Sequence, residues 1–175
     1  MEDGFDFEAY LEAGAGKLTG YCAAVVGSAD AEDAAQEAYL RLWRNLDRLP
    51  NEAAANSFLY KTAYRICVDL LRARKRFREP ERPVKQGDSL SERMTEALIK
   101  LSPADRAVVW CRVVEEEDYR EIAAKLGKSE AWARKRYSLA RKRLRASPFV
   151  VTSVVSYPWG LIHSSVTTSG EPYAL

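Results

Sequence analysis

Apolar residues recur every three or four positions along most of the chain up to Ala146, and the breaks between these stretches carry helix caps, glycines and prolines. The pattern predicts a first helix over Phe5 to Val26, with Phe7, Tyr10, Leu11, Leu18, Cys22 and Val25 on its apolar face. Gly14, Gly16 and Gly20 fall inside it and predict a bend. Asp30 is placed to cap a second helix, with Asp33 three residues on; it should run to about Asp47 with Ala34, Ala38, Leu42 and Leu46 inward. Asn51 is placed to cap a third, from Glu52 through Leu59, Ala63, Ile66 and Leu70 to near Arg78.

The stretch Glu79 to Asp88, with Pro80, Pro83 and Gly87 among charges, reads as a linker and a domain boundary. A second helical set follows, beginning with Ser91 to Lys100. Ser102-Pro103-Ala104-Asp105 then supplies a cap, a proline at the first helical position and an acid at the third. Glu115-Glu116-Glu117 makes a turn, and Asp118 with Glu121 forms a capping box. Asp118 to Gly127 is a short helix stopped by a glycine, and Ser129 caps another at once, the spacing of a helix-turn-helix. Ala123 lets the second helix cross closely, while Ile122 and Leu126 face the core. From Ser147 to Leu175 the composition shifts to Val, Ser and Thr, and Phe149 to Tyr157 has strand propensity, which suits a loosely attached tail.

Charge sharpens this picture, although the 175 residues carry a formal net charge of only +2. Met1 to Leu40 holds nine acids and one base, Lys17, whereas Arg72 to Arg82 has six bases against Glu79 and Glu81, and Arg134 to Arg145 has seven bases and no acid. The near-neutral total therefore conceals opposite surfaces. Cys22, Cys67 and Cys111 are odd in number and widely spaced, which suits buried thiols in a reduced compartment rather than a disulfide framework or a metal site. No secretory signal or run of about 20 apolar residues is visible, so a soluble cytoplasmic protein is expected. The lone His163 gives imidazole catalysis and histidine metal sites little to stand on, and the three glycines match no nucleotide-binding spacing. Neither an enzyme nor a cofactor is expected.

The last helix presents Arg134, Lys135, Arg136, Arg141, Lys142, Arg143 and Arg145, the basic character that a helix in a DNA major groove needs along its phosphate flanks. Leu101-Ser-Pro-Ala-Asp-Arg106, Arg112, Tyr119-Arg-Glu-Ile-Ala-Ala-Lys-Leu-Gly127 and Arg134-Lys-Arg-Tyr-Ser-Leu-Ala-Arg141 together resemble region 4 of the extracytoplasmic-function (ECF, group 4) sigma factors of bacterial RNA polymerase. Upstream, the stretch Asp30 to Trp43, then Phe58-Leu-Tyr60 and Asp69-Leu-Leu-Arg72, resembles region 2 of the same family. The resemblance spans about residues 5 to 146. It implies an all-α protein of two small helical domains: residues 1–78 as region 2, a linker over 79–88, residues 89–146 as the region 4 helix-turn-helix, and an extension over 147–175.

The same resemblance implies site residues. Core polymerase, through the clamp helices of its large subunit, would meet Asp30, Asp33, Gln36, Glu37, Leu40 and Trp43; an acidic face with an aromatic anchor suits a protein partner better than phosphates. The flap region and an anti-sigma factor are the other protein partners implied. The minus-10 promoter element would be captured as a single strand near Asn51, Glu52, Asn56, Ser57, Tyr60, Lys61, Tyr64 and Arg65, with Arg72, Arg74, Lys75 and Arg76 on backbone phosphate. Tyr64-Arg65 replaces the family's usual Arg-Asn pair, and Ala53-Ala54-Ala55 offers few polar groups, so the minus-10 readout should differ from that of the family. Minus-35 contacts fall on Arg112, Arg134, Lys135 and Ser138, with Ser129 near the backbone; Arg134 is the candidate for a guanine edge. Arg141, Lys142, Arg143 and Arg145 are left for phosphate or solvent. Trp132 and Ala133 differ in size from the usual residues there. Two other classes fit the same residues: a stand-alone helix-turn-helix regulator, and a sigma-like mimic that sequesters an anti-sigma factor.

Overall fold

A computed structural model describes residues 6–77 and 98–145. Among these residues there are six α-helices and no strand: α1 (Phe7–Val26), α2 (Ala31–Trp43), α3 (Glu52–Phe77), α4 (Pro103–Val113), α5 (Tyr119–Leu126) and α6 (Glu130–Arg145), with single 3₁₀ turns at Ser28–Asp30 and Leu46–Arg48. Of the helix expected over Ser91 to Lys100, only the end falls within the described residues, where Leu98 and Ile99 are helical. The linker over 79–88 and the extension over 147–175, with its expected strand and His163, lie outside them.

Helix α1 starts where Asp6 accepts hydrogen bonds from the Glu8 and Ala9 amides, each at 3.0 Å. It continues without interruption through Gly14, Gly16 and Gly20, where a bend was expected. Two of the glycines serve close packing. A Cβ on Gly14 would lie 2.7 Å from the Tyr39 hydroxyl, and one on Gly20 would lie 2.6 Å from the Trp110 indole.

Helix α2 is shorter than the sequence suggests. The Asn45 side-chain amide donates to the Arg41 carbonyl at 2.8 Å, and the chain turns into the 3₁₀ segment instead of continuing to Asp47. Asp30 makes no capping hydrogen bond; its carboxylate instead pairs with Arg74 of α3. Asn51 does cap α3, accepting from the Ala54 amide at 2.9 Å, and Ser102 caps α4, accepting from Asp105 at 3.2 Å.

The first three helices enclose Leu18, Cys22, Val25, Ala34, Ala38, Leu42, Leu59, Ala63 and Cys67, all nearly or fully buried. Each large aliphatic side chain removed from water in this way contributes about 1.5–3 kcal/mol. The same apolar cluster continues through Ala107, Val108 and Cys111 of α4, Ile122 of α5 and Ala133 of α6. Helix α4 packs on α1, and α5 packs on α3. The two helical sets read from the sequence thus share one continuous core. A smaller cluster of Leu101, Val109 and Ala140, flanked by Leu98, Val113 and Leu144, belongs to the second set alone.

Candidate nucleic-acid and protein interfaces

Helix α2 turns its alanines inward and leaves Asp33, Gln36, Leu40 and Trp43 outside. Leu40 is 49% and Trp43 60% exposed, far more than core packing would leave. They border a groove of 490 Å³ lined by Phe7, Leu11, Ala15, Ala35, Tyr39 and neighbours, between α1 and α2. Glu37 is held by Arg41 at 2.7 Å, and Gln36 donates to Glu32 at 3.3 Å, so the polar residues of this face are ordered along the helix. Asp30 departs from the expected docking set because its partner is internal.

The residues expected to take the minus-10 strand lie along α3 but are not equally open. Asn51, Glu52 and Arg65 are exposed, while Asn56, half-buried, accepts from the Tyr10 hydroxyl at 3.4 Å. Tyr64 is half-buried, and burial raises its phenol above the usual range. Ser57, Tyr60 and Lys61 face the second half of the molecule. Ser57 Oγ donates to the Ala124 carbonyl at 2.8 Å, and Tyr60 donates to Glu115 Oε1 at 2.7 Å. Beyond them, Arg72 is exposed and pairs with Asp69 at 3.2 Å, and Lys75 and Arg76 project into solvent beside the exposed Phe77. Arg74 does not project: it donates to the Val26 carbonyl at 3.0 Å and pairs with Asp30, tying α3 to the end of α1.

The helix-turn-helix forms as its residues dictate. Asp118 accepts from the Arg120 and Glu121 amides at 2.8 Å each, and the Asp118 amide donates to Glu121 at 2.7 Å, closing the capping box. Gly127 takes the left-handed conformation at φ 65°, and the Lys128 amide then reaches back to the Ala123 carbonyl at 2.8 Å. Ser129 accepts from the Trp132 amide at 3.2 Å and so starts α6. Ala133 is fully buried and Trp132 half-buried, with Lys128 and Arg136 over the Trp132 ring at 5.9 and 5.6 Å.

Arg112 and Arg134 both lie over the Tyr119 ring, at 5.2 and 4.8 Å, which brings two of the expected minus-35 residues to one place. Arg112 also donates to the Glu117 carbonyl at 2.8 Å, and Arg134 is steadied by Glu130 on its own helix at 3.0 Å. Lys135 and Ser138 are exposed, as are Arg141, Lys142 and Arg145. Arg143, expected to serve phosphate or solvent, is exposed as well, and its guanidinium also binds the buried Asp105 at 2.9 Å, with Arg136 at 3.4 Å on the other oxygen.

One cluster was not anticipated. Lys125, buried on α5, pairs with Glu115 at 2.5 Å and with Glu117, while its ammonium stands 3.8 Å from the centre of the Tyr60 ring. Trp110 Nε1 donates to the same Glu115 at 3.1 Å. Burial pushes the Glu117 carboxyl and the Tyr60 phenol up; for Tyr60, Glu115 adds to the effect. Burial alone would lower Lys125, but its two carboxylate partners outweigh this and hold it above its ordinary value. Cys111, Glu115 and Glu117 bring their donor atoms within 4.8 Å of one another, but the Lys125 ammonium already supplies the positive charge there. Lys125 sits three residues after Ile122, on the inward face of an amphipathic helix. A lysine at that register is the signal the sequence offered, and the three glutamates read only as a turn.

Among the described residues no helix is long and apolar enough to cross a membrane, and all three cysteines are free and buried. No curated protein sequence is significantly similar to this chain. Among solved structures it is similar to the sigma factor RpoE in complex with the anti-sigma factor NepR from Bartonella quintana, at 20% identity and a TM-score of 0.67, over 80% of this chain and 94% of that one. Residues 7–77 match the family model for sigma-70 region 2, and residues 91–144 match that for sigma-70 region 4. With α1 to α3 accounting for the first match and α4 to α6 for the second, the chain belongs to the sigma-70 family of transcription initiation factors.

Proposed function

We propose that this chain is a sigma factor of the extracytoplasmic-function group that binds core RNA polymerase and directs promoter-specific initiation, catalysing no reaction itself. The observation that carries the reading is the separation of two surfaces: the aromatic and acidic face of α2 beside its groove, and the basic face of α6 behind a capped helix-turn-helix. Asp33, Gln36, Glu37, Leu40 and Trp43 then dock on the clamp helices of the large subunit, and the region 4 half engages the flap region. Asn51, Glu52, Asn56, Ser57, Tyr60, Lys61, Tyr64 and Arg65 take the minus-10 strand, with Arg72, Lys75 and Arg76 on phosphate. Arg112, Arg134, Lys135, Ser138 and Ser129 serve the minus-35 duplex. Residues 1–78 and 89–146 act as the two functional units, in the cytoplasm. The similar fold of a sigma factor crystallised with its anti-sigma partner supports an anti-sigma factor as regulator.

Reconstitution with core polymerase on a genomic DNA library, with transcript starts mapped, tests the reading. Specific starts that depend on this chain support it. DNA binding without core polymerase and without initiation would identify a stand-alone regulator instead, and binding to an anti-sigma factor alone would identify a mimic. In the same assay Arg134→Ala should cost about 1–3 kcal/mol of discrimination between promoters. Lys142→Ala should weaken all sequences alike. Equal losses across sequences for both variants would remove Arg134 from base reading.

A further inference from the structure

We propose that the groove between α1 and α2 is the docking site of this chain's own C-terminal extension, whose segment Phe149 to Trp159 competes there with core polymerase. The competition rests on the assignment of α2 to polymerase docking; the intramolecular seat does not. The exposed large apolar residues among those described are Leu40, Trp43, Phe77 and Leu139. Phe77 stands beside the exposed Lys75 and Arg76, and Leu139 lies one helical turn from Lys135 and from Lys142, so each is single among bases. Leu40 and Trp43 differ. They stand one turn apart on α2 and share the 490 Å³ groove with Leu11, Ala15, Ala35 and Tyr39. A paired apolar exposure over an apolar cleft marks a binding site, whereas scattered single residues do not.

The extension has the matching chemistry. From Ser147 to Gly170 it carries no Lys, Arg, Asp or Glu, and Phe149-Val-Val-Thr-Ser-Val-Val-Ser-Tyr-Pro-Trp159 supplies three aromatic anchors. Pro158 fixes its own φ between the last two, which lowers the cost of ordering them. An uncharged segment gains nothing from the basic end of α3 or from α6. The exposed acids Glu8, Glu12, Glu32 and Asp33 on α1 and α2 repel phosphates but not such a segment. Trp159 stands 14 residues beyond Arg145. Extended chain of that length reaches about 45 Å, against a radius of gyration of about 14 Å for a body of about 120 residues. Because the segment is tethered, its effective concentration at the groove is on the order of millimolar. With a Kd of about 0.1 mM it fills the groove in about nine molecules of ten, and core polymerase then meets an apparent affinity about tenfold weaker. The extension thereby sets the polymerase concentration at which the chain is recruited.

Photocrosslinking in the full chain tests the seat, with p-benzoylphenylalanine in place of Trp159. Expected are crosslinks within one chain to groove residues such as Leu11 and Leu40, lost when Ala15→Arg fills the groove between them. Crosslinks joining two copies would assign the groove to a second copy instead. Crosslinks only elsewhere on the chain, or none, would overturn the docking. A second full-length chain carries Phe149→Ser, Tyr157→Ser and Trp159→Ser together and leaves every described helix unaltered. Hydroxyl-radical labelling of its Trp43 should be several-fold faster than in the wild type, and it should bind core polymerase about tenfold more tightly in a competition assay. Unchanged labelling would overturn the docking, and faster labelling with unchanged polymerase affinity would overturn the competition. If neither chain binds core polymerase while the crosslinks and the labelling change hold, the sigma reading fails and the intramolecular seat stands.

Discussion

Arg143, near the end of α6, donates to Asp105 Oδ2 at 2.9 Å across a separation of 38 residues, and Asp105 itself is completely buried at the start of α4. An arginine that the basic run assigns to DNA phosphate therefore also holds α6 against the start of α4. Arg143→Ala leaves the carboxylate with only the longer contact to Arg136 at 3.4 Å. The expected loss is about 1–3 kcal/mol of folding stability. Urea unfolding followed by circular dichroism measures it, and an unchanged midpoint would show that Arg136 suffices.

Gly14 and Tyr39 give a second prediction. Gly14→Ala alone should destabilise, since the new Cβ would lie 2.7 Å from the Tyr39 hydroxyl. Tyr39→Phe removes a hydroxyl that is buried with no hydrogen-bond partner among the described residues, and should be neutral or stabilising by up to about 1 kcal/mol. In the Tyr39→Phe background, Gly14→Ala should gain the helix preference of alanine over glycine, about 0.8–1 kcal/mol. A coupling of at least about 0.5 kcal/mol in the double-mutant cycle is expected, and strict additivity would contradict the contact.

Trp43 is 60% exposed, so Trp43→Ala should leave the thermal midpoint nearly unchanged. Its affinity for core polymerase, measured by competition with the wild-type chain, should fall by about 2 kcal/mol or more if it is the anchor of the interface. Asp33→Ala, at the exposed rim of the same face, should cost much less and mainly slow association at low salt.

The buried cluster around Lys125, where α5 packs on α3, should also respond to alkali. Tyr60 and Lys125 are both held above their ordinary values of 10.0 and 10.5, and Cys111 beside them above 9.0. A raised folded-state value means that the stabilisation is complete below the ordinary value and disappears as pH rises through the folded one. Glu117 is raised too, but from 4.5, so its titration belongs to the acidic side. The radius of gyration from small-angle scattering should therefore be constant from neutral pH to about 9 and increase above about 10.5, before helix content falls. A Lys125→Met chain should show a smaller step, because Tyr60 and Cys111 still titrate there.

The helices and caps were legible because each is local: Asn51, Ser102, Asp118 with Glu121, Gly127 and Ser129 act within a few residues of their own positions. The pairing of distant residues was not. Asp30 looked like a cap until Arg74 reached it from α3, and Arg143 looked solvent-bound until Asp105 reached it from α4. Gly14 and Gly20 read as weak points of a helix, whereas Tyr39 and Trp110 make them points of close approach. The family's site residues could be placed on helices from sequence, but whether a residue on α3 is open or covered depends on the packing of the second half, and Ser57, Tyr60 and Lys61 carry no mark of it.

Cys111 lies fully buried where α4 meets the first half, and burial keeps its thiol protonated well above the usual range. Cys22 and Cys67 are buried within the first three helices. The native chain therefore carries an internal clock: a thiol reagent added in excess should modify Cys111 at the frequency with which α4 comes away from the first three helices, and Cys22 and Cys67 only when those three helices themselves unfold. Peptide mapping of the modified protein would time each opening without any engineered probe, on or off the polymerase.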